Sequence, residues 1–207
     1  MQRFFSVVKL AFAFHTWWTL QTCVSTAKVC NVLSYGAIAD KKTDVGPALT
    51  KAYADCVKAS TGRPAETTVL VPEGDFAIAS NVVIANARGI TFTFNGQLHL
   101  VFDPKLVANM LQFNFGRNLI VNGKGKFNGY GDLYRPNRNL GLYPNRPRLI
   151  RFQDCINVDY SGFSLYDAPQ FHLVVFRGRN FYLHDFQIIC QTNIGTTDGI
   201  DISGYNK

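Results

Sequence analysis

Short apolar runs recur along the chain at a nearly fixed offset from an asparagine, and this repetition restricts the folds open to it. Met110-Leu111-Gln112-Phe113 precedes Asn118-Leu119-Ile120-Val121, and Leu149-Ile150-Arg151-Phe152 precedes Asn157-Val158-Asp159-Tyr160. Leu173-Val174-Val175-Phe176 then precedes Asn180-Phe181-Tyr182-Leu183. Asn157 and Asn180 are 23 residues apart; Asn118 and Asn157 are 39 apart, with the surplus in the Pro- and Arg-rich stretch Tyr134 to Arg148. Strands this short cannot bury a core singly, but stacked as coils of a solenoid they bury one continuously. A Greek-key sandwich also contains many short strands. The recurring Asn favours a parallel β-helix instead, because Asn and Gly tolerate the left-handed backbone of sharp corners. Ile84, Ile90, Phe92, Phe94, Leu98 and Leu100 place the start of the stack near Val69.

The segment before the stack reads differently. Asn31 to Ala37 reads as a strand entering a turn. Asp44 can cap a helix over Val45–Ala59, with Pro47 in its first turn and Ala48, Leu49, Ala52, Tyr53 and Cys56 as its apolar stripe. Such a helix would cover the open N-terminal end of the stack, where unpaired strand edges invite aggregation. Further upstream, Arg3 and Lys9, the apolar run Leu10–Leu20 and Ser25-Thr26-Ala27 have the order of a secretory signal peptide over residues 1–27. An amphipathic anchor built on Trp17 and Trp18 is the alternative. Residues 28–207 then form part of a single domain with ample core, since 47% of the chain is hydrophobic. No later stretch is long and apolar enough to span a membrane, so the expectation is a secreted, soluble monomer.

Signal cleavage would remove Cys23 and leave Cys30, Cys56, Cys155 and Cys190, which allow three connectivities. Cys30–Cys56 is favoured because it ties the mature N-terminus to the helix; Cys155 and Cys190 could pair or remain buried thiols. No CxxC occurs and the histidines are scattered, so no metal site is expected. The formal charge of +7 falls to +5 without Arg3 and Lys9. The excess is local: Arg117, Lys124, Lys126, Arg135, Arg138, Arg146, Arg148 and Arg151 face Asp132 alone over that stretch. This favours a polyanionic partner. For a secreted protein that is an acidic polysaccharide rather than nucleic acid or membrane, with a solvated basic loop as the plain alternative.

Thr196-Thr197-Asp198-Gly199-Ile200-Asp201 stands close to Lys207 and carries two acids on a stretch that reads as strand. Alternation puts Asp198 and Ile200 on one face, Gly199 and Asp201 on the other. Glycoside hydrolysis by acid and base needs at least two carboxyl groups across one bond, and alternation leaves Asp198 as the single candidate. His172 reads as a satisfied core group and Asp201 as a turn-bonding acid, each with direct chemistry as the lesser possibility. Phe171, Phe176, Phe181 and Phe186 read as core packing. Arg151 and Arg177 could reach a substrate from adjacent coils. No Gly-x-Ser-x-Gly motif occurs and no cysteine stands beside a plausible base, so nucleophilic catalysis finds no support.

These residues together resemble the fungal polygalacturonase/rhamnogalacturonase family of glycoside hydrolases, family 28. The matching pieces are Cys30 to Asp40, Thr43-Asp44, Gly46-Pro47-Ala48-Leu49, Val71 to Asp75, Gly123 to Gly131, Arg148 to Phe152, Asp167 to His172 and Thr197 to Asp201. The rhamnogalacturonase branch fits best, through Cys30-Asn31-Val32-Leu33, Gly46-Pro47-Ala48-Leu49 and Arg148-Leu149-Ile150-Arg151-Phe152. The resemblance implies an all-β, right-handed parallel β-helix of the pectin-lyase type with a short N-terminal capping helix. It also implies inverting hydrolysis of pectin without a metal or organic cofactor, with Asp198 as a water-activating carboxylate. Two departures stand out. Thr196 occupies a position where polygalacturonases usually have Asn, and the acidic pair, Gly-His-Gly and Arg-x-Lys that follow in the family do not occur here. The expectation is therefore an N-terminal fragment lacking most of an active site. The alternatives are a non-catalytic pectin-binding β-helix and a polysaccharide lyase on the same fold.

Overall fold

The computed structural model describes residues 27–106, 108–134, 146–190 and 197–204. The expected signal peptide, apart from Ala27, lies outside the described residues, as do Arg135, Arg138, Thr196 and Lys207.

Strand β1 (Lys28–Asn31) is followed by a 3-10 turn over Val32–Tyr35 and by helix α1 (Gly46–Cys56). The extended run expected over Asn31–Ala37 thus stops at its first residue. The Asn31 side chain accepts the Leu33 amide at 3.0 Å, and Gly36 closes the turn at φ 95°, so local hydrogen bonds win over strand pairing. The helix begins two residues after Asp44, with Val45 at the N-cap position expected for Asp44. The Asp44 carboxylate accepts the amides of both Gly46 and Ala79 at 3.0 Å, fastening the helix start to the stack. Gly46, Ala48, Leu49, Ala52 and Cys56 are its buried stripe, and it packs on β1, β2 (Thr67–Val71) and, one strand further on, the edge of the first coil. Cys30 and Cys56 form the expected disulfide.

From β2 the chain repeats one circuit. The first coil is β2, β3 (Asp75–Ile78) and β4 (Val82–Ala85); the second is β5 (Arg88–Phe94), β6 (Gln97–Leu100) and β7 (Asn109–Asn114). The third is β8 (Arg117–Asn122), β9 (Lys126–Asn128) and β10 (Arg148–Gln153); the fourth is β11 (Ile156–Ser161), β12 (Ser164–Tyr166) and β13 (Leu173–Phe176). The fifth is β14 (Arg179–His184), β15 (Ile188–Ile189) and β16 (Ile200–Ser203). Each strand pairs in parallel with its counterpart one coil away. The result is three sheets, ordered β1-β2-β5-β8-β11-β14, β3-β6-β9-β12-β15 and β4-β7-β10-β13-β16. This is the expected parallel β-helix.

Stacking puts like residues above like. In the third sheet Ile84, Phe113, Phe152 and Val175 share one inward column, with the Phe113 and Phe152 rings stacked at 4.9 Å. Each such buried ring contributes about 1.5–3 kcal/mol of hydrophobic stabilisation. The corner from the third sheet to the first uses two left-handed residues per coil. Asn86, Phe115, Asp154, Arg177 and Gly204 hold the first position, and Gly89, Asn118, Asn157 and Asn180 the second. At the second, Asn180 Nδ2 donates to Asn157 Oδ1 at 2.9 Å and Asn157 Nδ2 to Asn118 Oδ1 at 2.8 Å. The repeating asparagines are therefore a side-chain ladder as well as a backbone device. Gly123, at φ 143°, has no room for a side chain: a Cβ there would lie 1.9 Å from the Phe94 carbonyl oxygen.

Candidate active site

Of the residues singled out from sequence, Arg151, Arg177, Asp198 and Asp201 gather on the outer side of the third sheet, and His172 lies in the core. Register fixes their columns. Ile200 follows Leu173 and Ile150, and Ile202 follows Val175 and Phe152, so both continue inward columns. Asp201 between them continues the outward column Gln112, Arg151, Val174.

Asp198 precedes β16 and is placed by the backbone. The Leu149 amide donates to the Phe171 carbonyl at 3.1 Å and the His172 amide to the Asp198 carbonyl at 3.2 Å, so Arg148, Phe171 and Asp198 are neighbours in successive coils. In the third coil Leu149 and Ile150 are both fully buried, and in the fourth His172 and Leu173 are. Two successive inward residues therefore separate two outward columns. Asp198 and Asp201 emerge on the same side, which corrects the opposite facing that strict alternation predicts. The reason is the sheet corner, where the pleat gains one inward residue. Asp198 is exposed and Asp201 half-buried.

His172 lies within the core beneath this site. Its Nε2 accepts the Ala168 amide at 3.1 Å, so Nδ1 carries the proton and donates to the Asp198 carbonyl at 3.0 Å. It touches the backbone of Asp198 and has no exposed surface.

Around the two acids lies a cationic, aromatic face. Arg151 and Arg177 both stack on the Phe176 ring, at 5.0 and 4.8 Å from its centroid, and Arg148 stacks on Phe171 at 5.4 Å. Arg177 pairs with Asp154, its corner counterpart one coil below, at 2.5 Å. Burial pulls the Arg151 guanidinium below its usual value and the charge of Arg148 adds to this, opposed by Asp201. Arg151 and Arg177, named from sequence without a face, thus share one. Of the aromatic set expected in the core, Phe181 and Phe186 pack against it while Phe171 and Phe176 stand outside as platforms for arginines. Sequence reasoning missed Arg148, Phe171, Phe176 and Asp154 here. The adjacent apolar pair Leu149-Ile150, which breaks alternation between two arginines, was the signal available.

The remaining cysteines lie elsewhere. Cys155 is buried and its thiol is pushed up to about 11 by burial; Cys190 is exposed, contrary to the buried alternative, and neither is in a disulfide. Cys190, Asp167, Asp132, Tyr130 and Tyr166 line a separate concavity of about 380 Å³ on the outside of the second sheet. No described helix is long and apolar enough to cross a membrane.

Comparison with known proteins agrees with this architecture. The sequence profile of "Glycosyl hydrolases family 28" matches residues 61–207. A probable rhamnogalacturonase C of Aspergillus flavus is 32% identical over 183 residues, which are 86% of this chain and 38% of the relative. Rhamnogalacturonase A of Emericella nidulans is 29% identical over 186 residues, 88% of this chain and 34% of the relative. The chain thus spans less than two-fifths of the length of these two relatives. Among solved structures, endo-xylogalacturonan hydrolase from Aspergillus tubingensis superposes with a TM-score of 0.66 at 21% identity, over 84% of this chain and 48% of that one. The family 28 exopolygalacturonase of Yersinia enterocolitica gives 0.67 at 16% identity, over 86% and 41%. These two likenesses concern the fold alone. The match over residues 61–207 identifies the family: the chain belongs to glycosyl hydrolases family 28.

Proposed function

We propose that this chain carries the N-terminal part of a secreted glycoside hydrolase acting on pectin, either rhamnogalacturonan or polygalacturonan, by inversion. The observation that carries the reading is Asp198, an exposed carboxylate on the outer face of the third sheet, within the matched region and beside an arginine-lined surface. In this mechanism Asp198 accepts a proton from the attacking water as it adds to the anomeric carbon. A carboxylic acid on the far side of the bond protonates the departing oxygen, roughly 6.5–9.5 Å away. Arg151 and Arg177 hold the acidic chain on the face. His172 keeps Asp198 in place through its backbone and does not touch the substrate. Asp201 sits in the field of Arg151 and serves that guanidinium rather than the reacting bond.

The second reading is binding without turnover, favoured by the place of Asp201 in Arg151's own column, two coils further on, which leaves Asp198 as the single acid free to act on this face among the described residues. The two are separated by the transcript beyond Lys207. An in-frame acidic pair in the following coil is expected for the hydrolase. A stop codon directly after Lys207 contradicts hydrolysis by this polypeptide.

A further inference from the structure

The outer face of the third sheet is not uniformly committed. Arg177 is held by Asp154, and Arg151 is half-buried against Phe176 with Asp201 in its field. Arg148 is different. It makes no ion pair with any of the described residues, rests on the Phe171 ring, and is close enough to Arg151 for their charges to repel. A cation held among like charges on an aromatic support is arranged for an incoming anion.

A second observation lies in the same column. Arg148 is in register with Asn109, whose Oδ1 is buried without a hydrogen-bond partner while its Nδ2 donates to Gln112 at 2.7 Å. Arg151 Nε and Thr197 Oγ1 are also buried and unpartnered, so three of the four such side-chain atoms among the described residues lie in the third-sheet strands or directly beside Asp198. Buried polar atoms are nearly always satisfied. Orphan acceptors and donors concentrated at this sheet fit a hydroxyl-rich ligand there.

We infer that Arg148 and Asn109 form a subsite for a uronate ring, the guanidinium taking its carboxylate and Asn109 Oδ1 accepting one of its hydroxyls. This rests on the pectic reading above and makes it more specific. The column Arg148, Phe171, Asp198 spans two strand spacings, roughly 9–10 Å. The uronate is therefore bound at a distance from the bond that Asp198 faces and sets which sugar of the polymer is presented there. Arg148 is a specificity-determining residue in this scheme and not a catalytic one.

The test is calorimetric titration of the chain with a galacturonate oligomer and with the same oligomer after its carboxyl groups are reduced to alcohols. The wild type should prefer the acidic oligomer. Arg148→Gln should lose roughly ten-fold or more in affinity for it and bind both oligomers alike, with Arg148→Lys intermediate. Asn109→Ala should weaken both oligomers by a similar factor, because it removes a hydroxyl contact and not a charge. Undiminished preference for the acidic oligomer in Arg148→Gln overturns the subsite and leaves the pectic reading standing. No binding of either oligomer by the wild type overturns both. Arg148→Lys keeps the cation and the stem over Phe171, so a loss as large as that of the Gln variant would also count against recognition of charge.

Discussion

His172 donates its Nδ1 proton to the backbone carbonyl of Asp198 across 3.0 Å, while its Nε2 accepts the amide of Ala168 at 3.1 Å. One buried imidazole thus joins the turn that leads into its own strand to the backbone of the candidate catalytic acid in the next coil. The neutral ring satisfies both partners, which explains a histidine in a largely apolar core. Replacing it by alanine removes two hydrogen bonds and opens a cavity. The expected cost is about 2–4 kcal/mol, read as a lower urea midpoint. A cost within experimental error of zero would show that Asp198 is held by other contacts.

A different histidine contributes to pH dependence. His184 Nδ1 lies 2.7 Å from Asp185 and Nε2 lies 3.0 Å from Asp159, one coil below. Asp185 first, and then Asp159, raise its pKa against the opposing effect of burial. A raised folded pKa stabilises the fold fully below the unfolded value of about 6.5 and loses that stabilisation as pH rises through the folded value. The melting temperature of the wild type should therefore exceed that of His184→Gln near pH 6, with the gap closing toward pH 8–9. A gap that is constant or widens with pH would contradict the ion pairs.

The asparagine ladder separates two contributions at one residue. Asn157 sits at φ 56° and bonds to Asn118 below and Asn180 above. Asn157→Gly keeps the left-handed backbone and loses the side-chain bonds, at about 1–2 kcal/mol. Asn157→Ala adds the left-handed penalty of about 1–2 kcal/mol. Equal losses in denaturant melts of the two variants would show that backbone conformation contributes nothing there.

How much of this was legible follows from the same corner. Asn118, Asn157 and Asn180 announce it because a left-handed residue bearing a side chain is most readily Asn, and the ladder rewards repeating it. The first left-handed position of each corner is filled by Phe115, Asp154 and Arg177 in three successive coils, a set without a compositional signature, so the salt bridge between Asp154 and Arg177 could not be read beforehand. Alternation was reliable within strands, as in Ile200, Asp201 and Ile202. It failed between Asp198 and Asp201 because the corner inserts a second inward residue, as Leu149-Ile150 does two coils earlier. Phe171 and Phe176 were misplaced for the same reason: hydrophobicity alone does not distinguish a core ring from one supporting a guanidinium.

Cys155 and Cys190, neither in a disulfide, should differ sharply in reactivity. Cys155 is buried, accepts the Gly116 amide and has its thiol pushed up to about 11, whereas Cys190 is exposed. Iodoacetamide at pH 8 should label Cys190 in the native protein and Cys155 after unfolding, as resolved by peptide mapping. Native labelling of Cys155 at a comparable rate would show that the corner between the third and first sheets opens readily.

The central claim is that Asp198 belongs to a hydrolytic site whose other acids are not among these 207 residues. Reducing-end release from rhamnogalacturonan and from polygalacturonate by the purified chain tests it most directly. The account predicts no release above the blank for wild type and Asp198→Asn alike. Sustained release by the wild type that Asp198→Asn abolishes would show a complete site within the chain and contradict it.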